Sequence, residues 1–600
     1  MCGIAGIIGN YNKEDQNKIL QSMKHRGPDG NGFYDNKNFC FIHTLLKIMD
    51  LSNKSLQPMI DENNGNVIIF NGSIYNYKDL KKKFFFNQNF KSNTDTEILL
   101  KLYSKFGIDF LKYLKGMFAI AIYDKKLNKI FIIRDRFGIK PLFYFSNLNF
   151  FIFASEIKIL TKNHLVKNSL SLDQKEVIKF IANRQMYGFD KTLISNIKIL
   201  KPGNYIEYDL NKKIFKTVEY FDKNKILEPN KKNNKDYFEE IFAETVKYHT
   251  ITEHKKIACL LSGGLDSSLL SIILKEQSKD KEIHTFSSML NTSNDENKNI
   301  PTLIKENKFI EHFVYEDSVD FFEDHIKTIN DLDQPTPDAS TTLHNILCKE
   351  VSKEGFKVLF TGNGGDENFF GYSLHTYGYL ANMLSKKQFF KFYKKIKQFK
   401  NFYEHKNIII RSIKELINIE ILNKFKKLQL KKKINHLDLD TDIENIKFYE
   451  KLSDNIFDNI VLNYKSHWGM QSFLDYEDKN SMAYGVECRV PYLYEDINDL
   501  SLKTALDDHF KNGPKSLLRN HSKMPKYIKN KSKYAFAANL EGYLDKDINK
   551  IKEKIFYEFK AIPLINIDKL IKLSNNKSSY DIFFRTYSYG LWYNRIFNQI

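Results

Sequence analysis

The sequence predicts two domains that both combine helices and strands, an α+β domain followed by an α/β domain. Its 600 residues are enough for two or more hydrophobic cores. The N-terminal part has consecutive strand-like runs, such as 116–124 and 130–136. The C-terminal part alternates strand-like runs with helical segments, which is typical of a parallel, doubly wound sheet. Such sheets bind ligands at the carboxyl ends of their strands, and two glycine-rich loops follow predicted strands in this part.

The first glycine-rich loop, 260–268, reads Leu-Leu-Ser-Gly-Gly-Leu-Asp-Ser-Ser. The apolar run 256–260 predicts a buried strand, and the run 269–274 predicts a helix packed on it. The adjacent glycines allow close approach to a ligand, while serine hydroxyls and the N–H groups of the helix start can hold phosphate. Asp266 in an anion site indicates a bridging Mg²⁺. An ordinary strand–turn–helix corner is the alternative. The candidate nucleotide-binding residues of this loop are Ser262, Gly263, Gly264, Asp266, Ser267 and Ser268.

This loop lacks the lysine of the phosphate loop found in kinases and GTPases. It resembles the pyrophosphate loop of ligases that split ATP into AMP and pyrophosphate.

Composition argues against membrane and nucleic-acid classes. The hydrophobic fraction is 42%, and no apolar run is long enough to span a bilayer. The formal net charge is +19, but the lysines are spread along the chain and interleaved with acids. We therefore interpret the charge as a solvated basic surface rather than a nucleic-acid site. The lysine-rich stretch 389–433 is interpreted as part of a solvated helical lobe, with a membrane-surface or nucleic-acid helix as the alternative.

The five cysteines are scattered and none forms a Cys-x-x-Cys pair, so neither zinc nor a disulfide framework is indicated. The N-terminus lacks a signal-peptide pattern. We expect a protein of the reducing cytoplasm.

Cys2 is a candidate nucleophile. Removal of Met1 would leave it as the first residue, with an α-amino group beside its thiol. Such an amine has a reference pKa near 8, so it can serve as the general base. A cysteine at position two could also be an accident, and the motifs that follow decide between these interpretations.

Several motifs follow Cys2 in a fixed order. They are His-Arg-Gly-Pro-Asp-Gly at 25–30, Asn-Gly-Ser at 71–73, Asn-Thr-Asp-Thr-Glu at 93–97, Arg-Asp-Arg at 134–136 and Gly-Ile-Lys-Pro-Leu at 138–142. Together they resemble the glutaminase domain of class II glutamine amidotransferases, over residues 2–205. The resemblance implies an N-terminal-nucleophile αββα sandwich, in which two antiparallel sheets stack between helical layers.

The resemblance also implies a chemistry for this domain. The Cys2 thiol attacks the side-chain amide of glutamine. The Asn71 side chain and the Gly72 backbone N–H form the oxyanion hole. Asp95 binds the α-ammonium group, and hydrolysis of the thioester releases ammonia.

Two positions depart from the family. After His43 the family has His-x-Arg-Leu, so Leu45 replaces an arginine that holds the glutamine carboxylate. Ser73 replaces the glutamate of Asn-Gly-Glu. One lost charge-assisted hydrogen bond, about 1.5–3 kcal/mol, weakens binding by about one to two powers of ten. Strand alternation could place Lys47 on the face of Leu45 as a substitute cation. We hypothesise weakened use of glutamine with the nucleophile intact.

A connecting region is expected at 206–240, because 223–236 is polar, lysine-rich and poorly periodic. The second domain is expected at 241–600. Its second glycine-rich loop, 361–372, follows the predicted strand 357–360 and contains Asp366. Paired with the first loop, it predicts a magnesium–pyrophosphate site formed by Asp266 and Asp366.

Later motifs, including Asp-Lys-Asn-Ser-Met at 478–482, Glu-Cys-Arg-Val-Pro-Tyr-Leu at 487–493 and Lys-Ser-Lys at 531–533, complete a second resemblance. With both loops they are similar to the synthetase domain of asparagine synthetases (glutamine-hydrolysing). This implies that ATP converts aspartate into β-aspartyl-AMP and that ammonia displaces AMP. The nucleotide would be framed by Leu260, Ser288, Thr361 and Gly362, with Asp266 and Asp366 holding Mg²⁺ and Lys533 neutralising the phosphates.

Three further departures concern the acceptor. Asn363 replaces an acid that assists the chemistry in the family, and asparagine cannot take a proton. Lys479 replaces an arginine, and Tyr494 replaces an aspartate.

The sequence thus favours glutamine-dependent amidation of aspartate. The alternatives are amidation of another small carboxylate, such as a sugar acid in surface-polysaccharide assembly, a catalytically silent binding relative, and an ammonia-dependent synthetase with a weak glutaminase half. Relatives are often dimers, so a homodimer is a further expectation.

Overall fold

The computed structural model describes residues 2–187, 190–221, 235–289, 295–315, 318–399, 402, 408–438, 446–465, 469–530 and 538–598. Within these ranges, no helix combines the length and the apolar character that crossing a bilayer requires.

The N-terminal domain contains two six-stranded sheets in which neighbouring strands are antiparallel. Their strand orders are β10-β8-β9-β1-β3-β2 and β12-β11-β7-β6-β5-β4. The strands are β1 Gly3–Gly9, β2 Gly30–Asn36, β3 Phe39–Leu45, β4 Met59–Ile60, β5 Val67–Ile74, β6 Gly116–Asp124, β7 Lys129–Arg134, β8 Phe143–Ser146, β9 Phe150–Ala154, β10 Ile197–Ile199, β11 Asn204–Asp209 and β12 Ile214–Glu219. The helices are α1 Lys13–Met23, α2 Tyr77–Phe84, α3 Asp95–Phe106, α4 Ile157–Thr161, α5 His164–Lys167 and α6 Gln174–Asn183.

Alternation along the strands explains why this domain has four layers. Ile4 of β1 and Ile69 of β5 belong to one buried cluster, so the sheets face each other there. Ile7 of β1 turns away and packs with Met23 of α1. Phe70 of β5 packs on the opposite side with α3. The predicted αββα sandwich is confirmed.

The second domain is built on a five-stranded parallel sheet with the order β15-β14-β13-β16-β17. The strands are β13 Lys256–Leu260, β14 Glu282–Met289, β15 Ile310–Tyr315, β16 Val358–Phe360 and β17 Glu487–Arg489. The helices are α7 Lys235–His249, α8 Leu265–Gln277, α9 Ile300–Asn307, α10 Phe321–Leu332, α11 Ala339–Lys353, α12 Gly365–Asn368, α13 Ser373–Ser385, α14 Phe389–Phe399, α15 Ile408–Lys414, α16 Ile419–Lys433, α17 Ile456–Asn463, α18 Met470–Met482, α19 Glu495–Lys503, α20 Leu506–His509, α21 Ser516–Arg519, α22 Lys526–Lys529, α23 Leu540–Glu558, α24 Ile567–Leu573 and α25 Tyr580–Tyr593.

Helices cover both faces of this sheet. Ile257 and Cys259 of β13 pack in one cluster with α7 and α8. Ala258, between them, faces the other side and packs with Cys348 and Val351 of α11. The predicted parallel α/β sheet is confirmed, and so are the predicted strands at β13 and β16.

The boundary expected at residue 205 needs a correction. β11 and β12 continue the second antiparallel sheet as far as Glu219. β12 is mostly exposed, so its sequence shows no apolar run that would identify it as a strand. The polar stretch 222–234 of the expected connecting region lies outside the described residues.

Candidate active sites

The first cavity lies at the start of β1 and the end of β5. Its lining includes Cys2, Gly72 and Asp95, three of the residues singled out in the sequence. Cys2 immediately precedes β1, Gly72 lies within β5, and Asp95 is the first residue of α3. The fold therefore gathers residues that are nearly a hundred positions apart around one thiol.

Cys2 is 7% exposed, and burial raises the pKa of its thiol. A hydrogen bond from the backbone N–H of Leu46 lowers this pKa and partly offsets the effect of burial. The backbone of Cys2 is held from both sides. Its N–H donates to Asn71 Oδ1 at 3.1 Å, and Arg26 Nε donates to its carbonyl oxygen at 3.2 Å.

The Asn71 side chain contacts the backbone of Cys2, and the neighbouring Gly72 lines the cavity. Because Asn71 Oδ1 accepts from Cys2, the amide nitrogen of Asn71 is turned the other way, and this buried Nδ2 has no acceptor among the described residues. A buried donor without a partner is costly, so such a group is expected to serve a ligand. Gly72 has φ +157°, and a Cβ there would lie 2.0 Å from the carbonyl oxygen of Met117. The strand therefore requires glycine at this position.

Asp95 accepts a hydrogen bond from Ile74 N at 2.9 Å. Burial, with a smaller contribution from the nearby Glu487, raises the pKa of its carboxyl to about 7 against the effect of the backbone hydrogen bond.

The two departures at this cavity have different outcomes. Leu45 is buried on the wall and adds no charge there. Lys47 also lines the cavity, although β3 ends at Leu45, so strand alternation does not place it there. Its Nζ donates to Asn53 Oδ1 at 2.9 Å.

Ser73 has a carboxylate beside it after all. Its Oγ donates to the carboxylate of Glu487, at 3.2 and 3.3 Å from the two oxygens. Glu487 belongs to β17 of the second domain and lines the first cavity. Burial would raise the pKa of Glu487, but Arg489, whose Nε lies 2.6 Å from Oε1, holds it at about 2. Glu487 stood within a recognised motif, but nothing in the sequence indicated which domain its side chain faces.

The second cavity, of about 600 Å³, lies at the carboxyl ends of β13, β14 and β16. Ten predicted nucleotide-binding residues line it: Leu260, Ser262, Gly263, Gly264, Asp266, Ser267, Ser288, Thr361, Gly362 and Asp366. Ser268 does not line the cavity as described, because its side chain is fully buried within α8. Lys533 lies outside the described residues.

The first loop is shaped by its own serines. Ser262 Oγ accepts from Gly264 N at 3.3 Å and lies 3.0 Å from Ser267 Oγ. Gly264 caps α8 without a side-chain hydrogen bond, so the N–H groups of the first helical turn are not satisfied by a capping side chain. The second loop presses against this turn, since a Cβ on Gly362 would lie 2.9 Å from Ser267 N.

Asp266 and Asp366, one from each loop, converge on a single cation. The Nζ of Lys515 lies 2.5 Å from Asp266 Oδ2 and also contacts Asp366 Oδ1. Burial lowers the pKa of Lys515, but the two carboxylates outweigh it and raise this pKa overall. Within the described ranges, no group of three or more histidines, cysteines and acids could hold a metal ion. Two carboxylates next to a phosphate loop fit Mg²⁺, which takes its other ligands from phosphate and water.

Asn363 also meets a carboxylate that the sequence did not suggest. Its Nδ2 donates to Glu477 Oε2. Glu477 projects from α18, is 5% exposed and lines the second cavity. Cys488 Sγ donates to Glu477 Oε1 at 2.8 Å, and His344 Nε2 lies 3.6 Å from the same oxygen.

The other two departures lie away from this cavity. Lys479 is fully buried, pairs with Asp475 at 2.9 Å and lies 4.7 Å from the ring centre of Phe143 in the first domain. Tyr494 packs against Tyr75 of the first domain with ring centres 6.1 Å apart. Both replacements belong to the contact between the domains, so neither alters the wall of the second cavity as described.

The two domains are also joined by buried ion pairs. Arg26 contacts Glu156 at 2.6 Å and Asp478 of α18 at 2.8 Å. Lys140 contacts the other oxygen of Asp478 at 3.1 Å. Burial would raise the pKa of Glu156, but Lys158, His25 and Arg26 hold it well below its ordinary range.

Known proteins match both halves of the chain. Residues 1–221 match a glutamine amidotransferase domain family, and residues 237–579 match the asparagine synthase family. A relative from Methanocaldococcus jannaschii, named putative asparagine synthetase [glutamine-hydrolyzing] 2, is 34% identical over 421 residues, which cover 64% of this chain and 78% of the relative. Asparagine synthetase [glutamine-hydrolyzing] 1 from Bacillus subtilis is 27% identical over 603 residues, 96% of this chain and 92% of the relative. Asparagine synthetase B [glutamine-hydrolyzing] from Escherichia coli is 29% identical over 397 residues, 62% of this chain and 65% of the relative.

Proposed function

The chain belongs to the asparagine synthase family, and we propose that it is an ATP-dependent ligase that transfers ammonia from glutamine to aspartate. In this proposal ATP activates aspartate as β-aspartyl-AMP with release of pyrophosphate, and ammonia made at Cys2 displaces AMP.

The observation that carries the proposal is the position of β17 between the two cavities. Glu487 of this strand lines the first cavity. The adjacent Cys488 contacts Glu477 and Thr361, which line the second cavity. Successive side chains of a strand point to opposite faces, so β17 lies between the two sites.

At the first cavity, the Cys2 sulfur would attack the carboxamide carbon of glutamine. Asn71 Nδ2 and the N–H of Gly72 would stabilise the oxyanion that develops. The α-amino group of Cys2, available once Met1 is removed, would take the thiol proton and pass it to the departing ammonia. Burial raises the pKa of the thiol, which makes such a base necessary.

Glutamine recognition would use both domains. Asp95 and Glu487 would pair with the α-ammonium group, and Lys47 would be the cation for the α-carboxylate. The carboxylate lost at Ser73 is thus supplied by Glu487, whereas the arginine lost at Leu45 is replaced only by the more mobile lysine. This supports moderate weakening of glutamine use rather than its loss.

At the second cavity, the loops at Ser262–Ser267 and Thr361–Gly362 would hold the phosphates of ATP through backbone N–H groups and hydroxyls. Asp266 and Asp366 would hold Mg²⁺, which would neutralise the pyrophosphate as it leaves. Lys515 bridges these carboxylates and would remain beside the phosphates as a second cation.

The test measures pyrophosphate release with ATP, Mg²⁺ and aspartate, using either glutamine or ammonium chloride as the nitrogen source. We expect release with both in the unchanged protein, and with ammonium alone in Cys2→Ala. Release with ammonium alone in the unchanged protein would locate a defect at Leu45 and Ser73. No release with either would contradict aspartate as the acceptor and would direct the assay to other carboxylates.

A further inference from the structure

We propose that Glu477 is the proton acceptor for the amination step in the second cavity. The inference deepens the proposed function and rests on it. It assigns to α18 a role that the sequence motifs assign to no residue of this chain.

The amination step needs a proton acceptor. The ammonia nitrogen forms a bond to the acyl carbon of the acyl-adenylate, the bond from that carbon to the phosphate oxygen breaks, and AMP leaves with the electron pair. One N–H proton must then leave the nitrogen for the product to be a neutral amide. Asn363 cannot take it, because a carboxamide is not basic.

Most acids on the cavity wall are engaged elsewhere. Asp266 and Asp366 share Lys515. Asp338 caps α11 through the backbone N–H groups of Ser340 and Thr341. Glu367 accepts from the hydroxyl of Tyr372.

Glu477 differs from Asp266, Asp366 and Asp338, which contact the charged side chains of Lys515 and Arg184. Asn363 donates an amide hydrogen to one carboxylate oxygen. Cys488 approaches the other, and burial together with Glu477 itself raises the pKa of this thiol well above its ordinary value, so it stays protonated and donates. Within the described part of the chain, Glu477 forms no ion pair with a lysine or an arginine.

The orientation of the His344 ring is also fixed by a hydrogen bond. Asn480 Nδ2 donates to His344 Nδ1 at 3.0 Å, and the orientation of Asn480 is fixed because its Oδ1 accepts from Asn345 at 3.1 Å. The hydrogen of neutral His344 therefore lies on Nε2, which points at Glu477 Oε1 from 3.6 Å. Cys488 Sγ and His344 Nε2 thus lie beside the same oxygen and orient the carboxylate.

Glu477 also lies on the side from which ammonia would arrive. Its partner Cys488 is adjacent in sequence to Glu487, which lines the cavity of Cys2. A carboxylate that contacts β17, the strand between the two cavities, is placed to meet the incoming nucleophile. We therefore expect it to act on the amination and not on the activation of the acceptor.

The experiment separates the two half-reactions in Glu477→Gln. Activation is measured as acceptor-dependent exchange of labelled pyrophosphate into ATP, and amination as amide formed with ammonium chloride, which bypasses Cys2. We expect amination to fall about 100-fold or more, as for loss of a general base, with the exchange within about threefold of the unchanged protein.

Two further variants control for structure. Asp338→Asn removes one negative charge from the same cavity and keeps a capping side chain, so we expect little effect on amination. Asn363→Glu combined with Glu477→Gln exchanges amide and carboxylate across the same hydrogen bond, and we expect it to restore amination at least tenfold over Glu477→Gln.

Unchanged amination in Glu477→Gln, or equal loss of exchange and amination, would overturn the proposal. If the unchanged protein shows no exchange with aspartate, the aspartate assignment fails instead, and the same comparison is made with the carboxylate that does support exchange. A chain that activates no carboxylate has no amination step, and both proposals fall.

Discussion

At the scale of single residues, the buried Asp95 makes glutamine binding depend on pH. Burial raises the pKa of this carboxyl to about 7, whereas Glu487 is held at about 2 and stays charged. Below pH 7, Asp95 becomes protonated and loses the charge that would pair with the α-ammonium group of glutamine. We expect the dissociation constant for glutamine to rise about tenfold for each pH unit below 7.

Calorimetry with Cys2→Ser between pH 5.5 and 8.5 measures this dependence without turnover. Asp95→Asn should bind about 10–100-fold more weakly at pH 8, the cost of one charge-assisted hydrogen bond, and should lose the pH dependence. Glu97→Gln is the matched control, because Glu97 lies in the same turn of α3 but accepts from the backbone of Lys91 and Ser92. A flat pH profile in Cys2→Ser would rule out this role for Asp95.

Single residues also show where sequence reasoning stops. Ser73 and Asn363 were recognised as departures because they interrupt local motifs. Their compensating carboxylates, Glu487 and Glu477, lie 414 and 114 positions away in the chain. A single sequence carries no signal for such pairs, since their members become neighbours only in the tertiary structure. Ser268 shows the converse. It lies inside a recognised loop, but the helical period places its side chain on the buried face of α8.

At the scale of elements, the strands that carry the two phosphate loops could be predicted. β13 and β16 are short apolar runs followed by glycine-rich loops, and that pattern depends only on local sequence. β12 could not be predicted, because an edge strand with an exposed face has no apolar period. Of α18, only the motif at 478–482 was recognised, and the helix itself was not predicted. The tertiary structure was needed to show that its side chains serve two sites. Glu477 faces the second cavity, while Asp478 contacts the first domain.

The contact between the two phosphate loops predicts that the second loop does not tolerate a side chain at Gly362. A Cβ on Gly362 would approach Ser267 N to 2.9 Å, and backbone cannot give way as a flexible side chain does. Gly362→Ala should therefore push the second loop away from the start of α8. We expect the KM for ATP in the ammonium-dependent reaction to rise tenfold or more, with glutaminase activity retained.

Gly355→Ala is the comparison for this variant. Gly355 has φ +79° but open space around its Cβ position, so alanine there costs about 1 kcal/mol of stability without touching the loops. Equal KM values for ATP in the two variants would contradict the close-approach explanation.

At the scale of the whole molecule, the domains are coupled by buried charges that both domains contribute. Asp478 of α18 receives Arg26 and Lys140 from the first domain, and the side chains of all three are at most 2% exposed. A buried pair that loses one partner costs about 3–5 kcal/mol, since the remaining charge stays desolvated. The exposed pair between Lys115 and Asp496 crosses the same boundary but is more than one-third exposed, so it contributes about 0–1 kcal/mol.

Loss of the buried pair should change the coupling of glutamine hydrolysis to synthesis, whereas loss of the exposed pair should not. Asp478→Asn keeps the side-chain volume but leaves Lys140 without its carboxylate, which should loosen the contact of α18 with the first domain. Ammonia would then escape, so we expect the ratio of glutamate formed to amide formed to rise above one and the thermal unfolding temperature to fall. Asp496→Asn should keep both values. Parallel assays of glutamate, amide and pyrophosphate measure the ratio. An unchanged ratio in Asp478→Asn would show that the buried ion pairs do not couple the two sites.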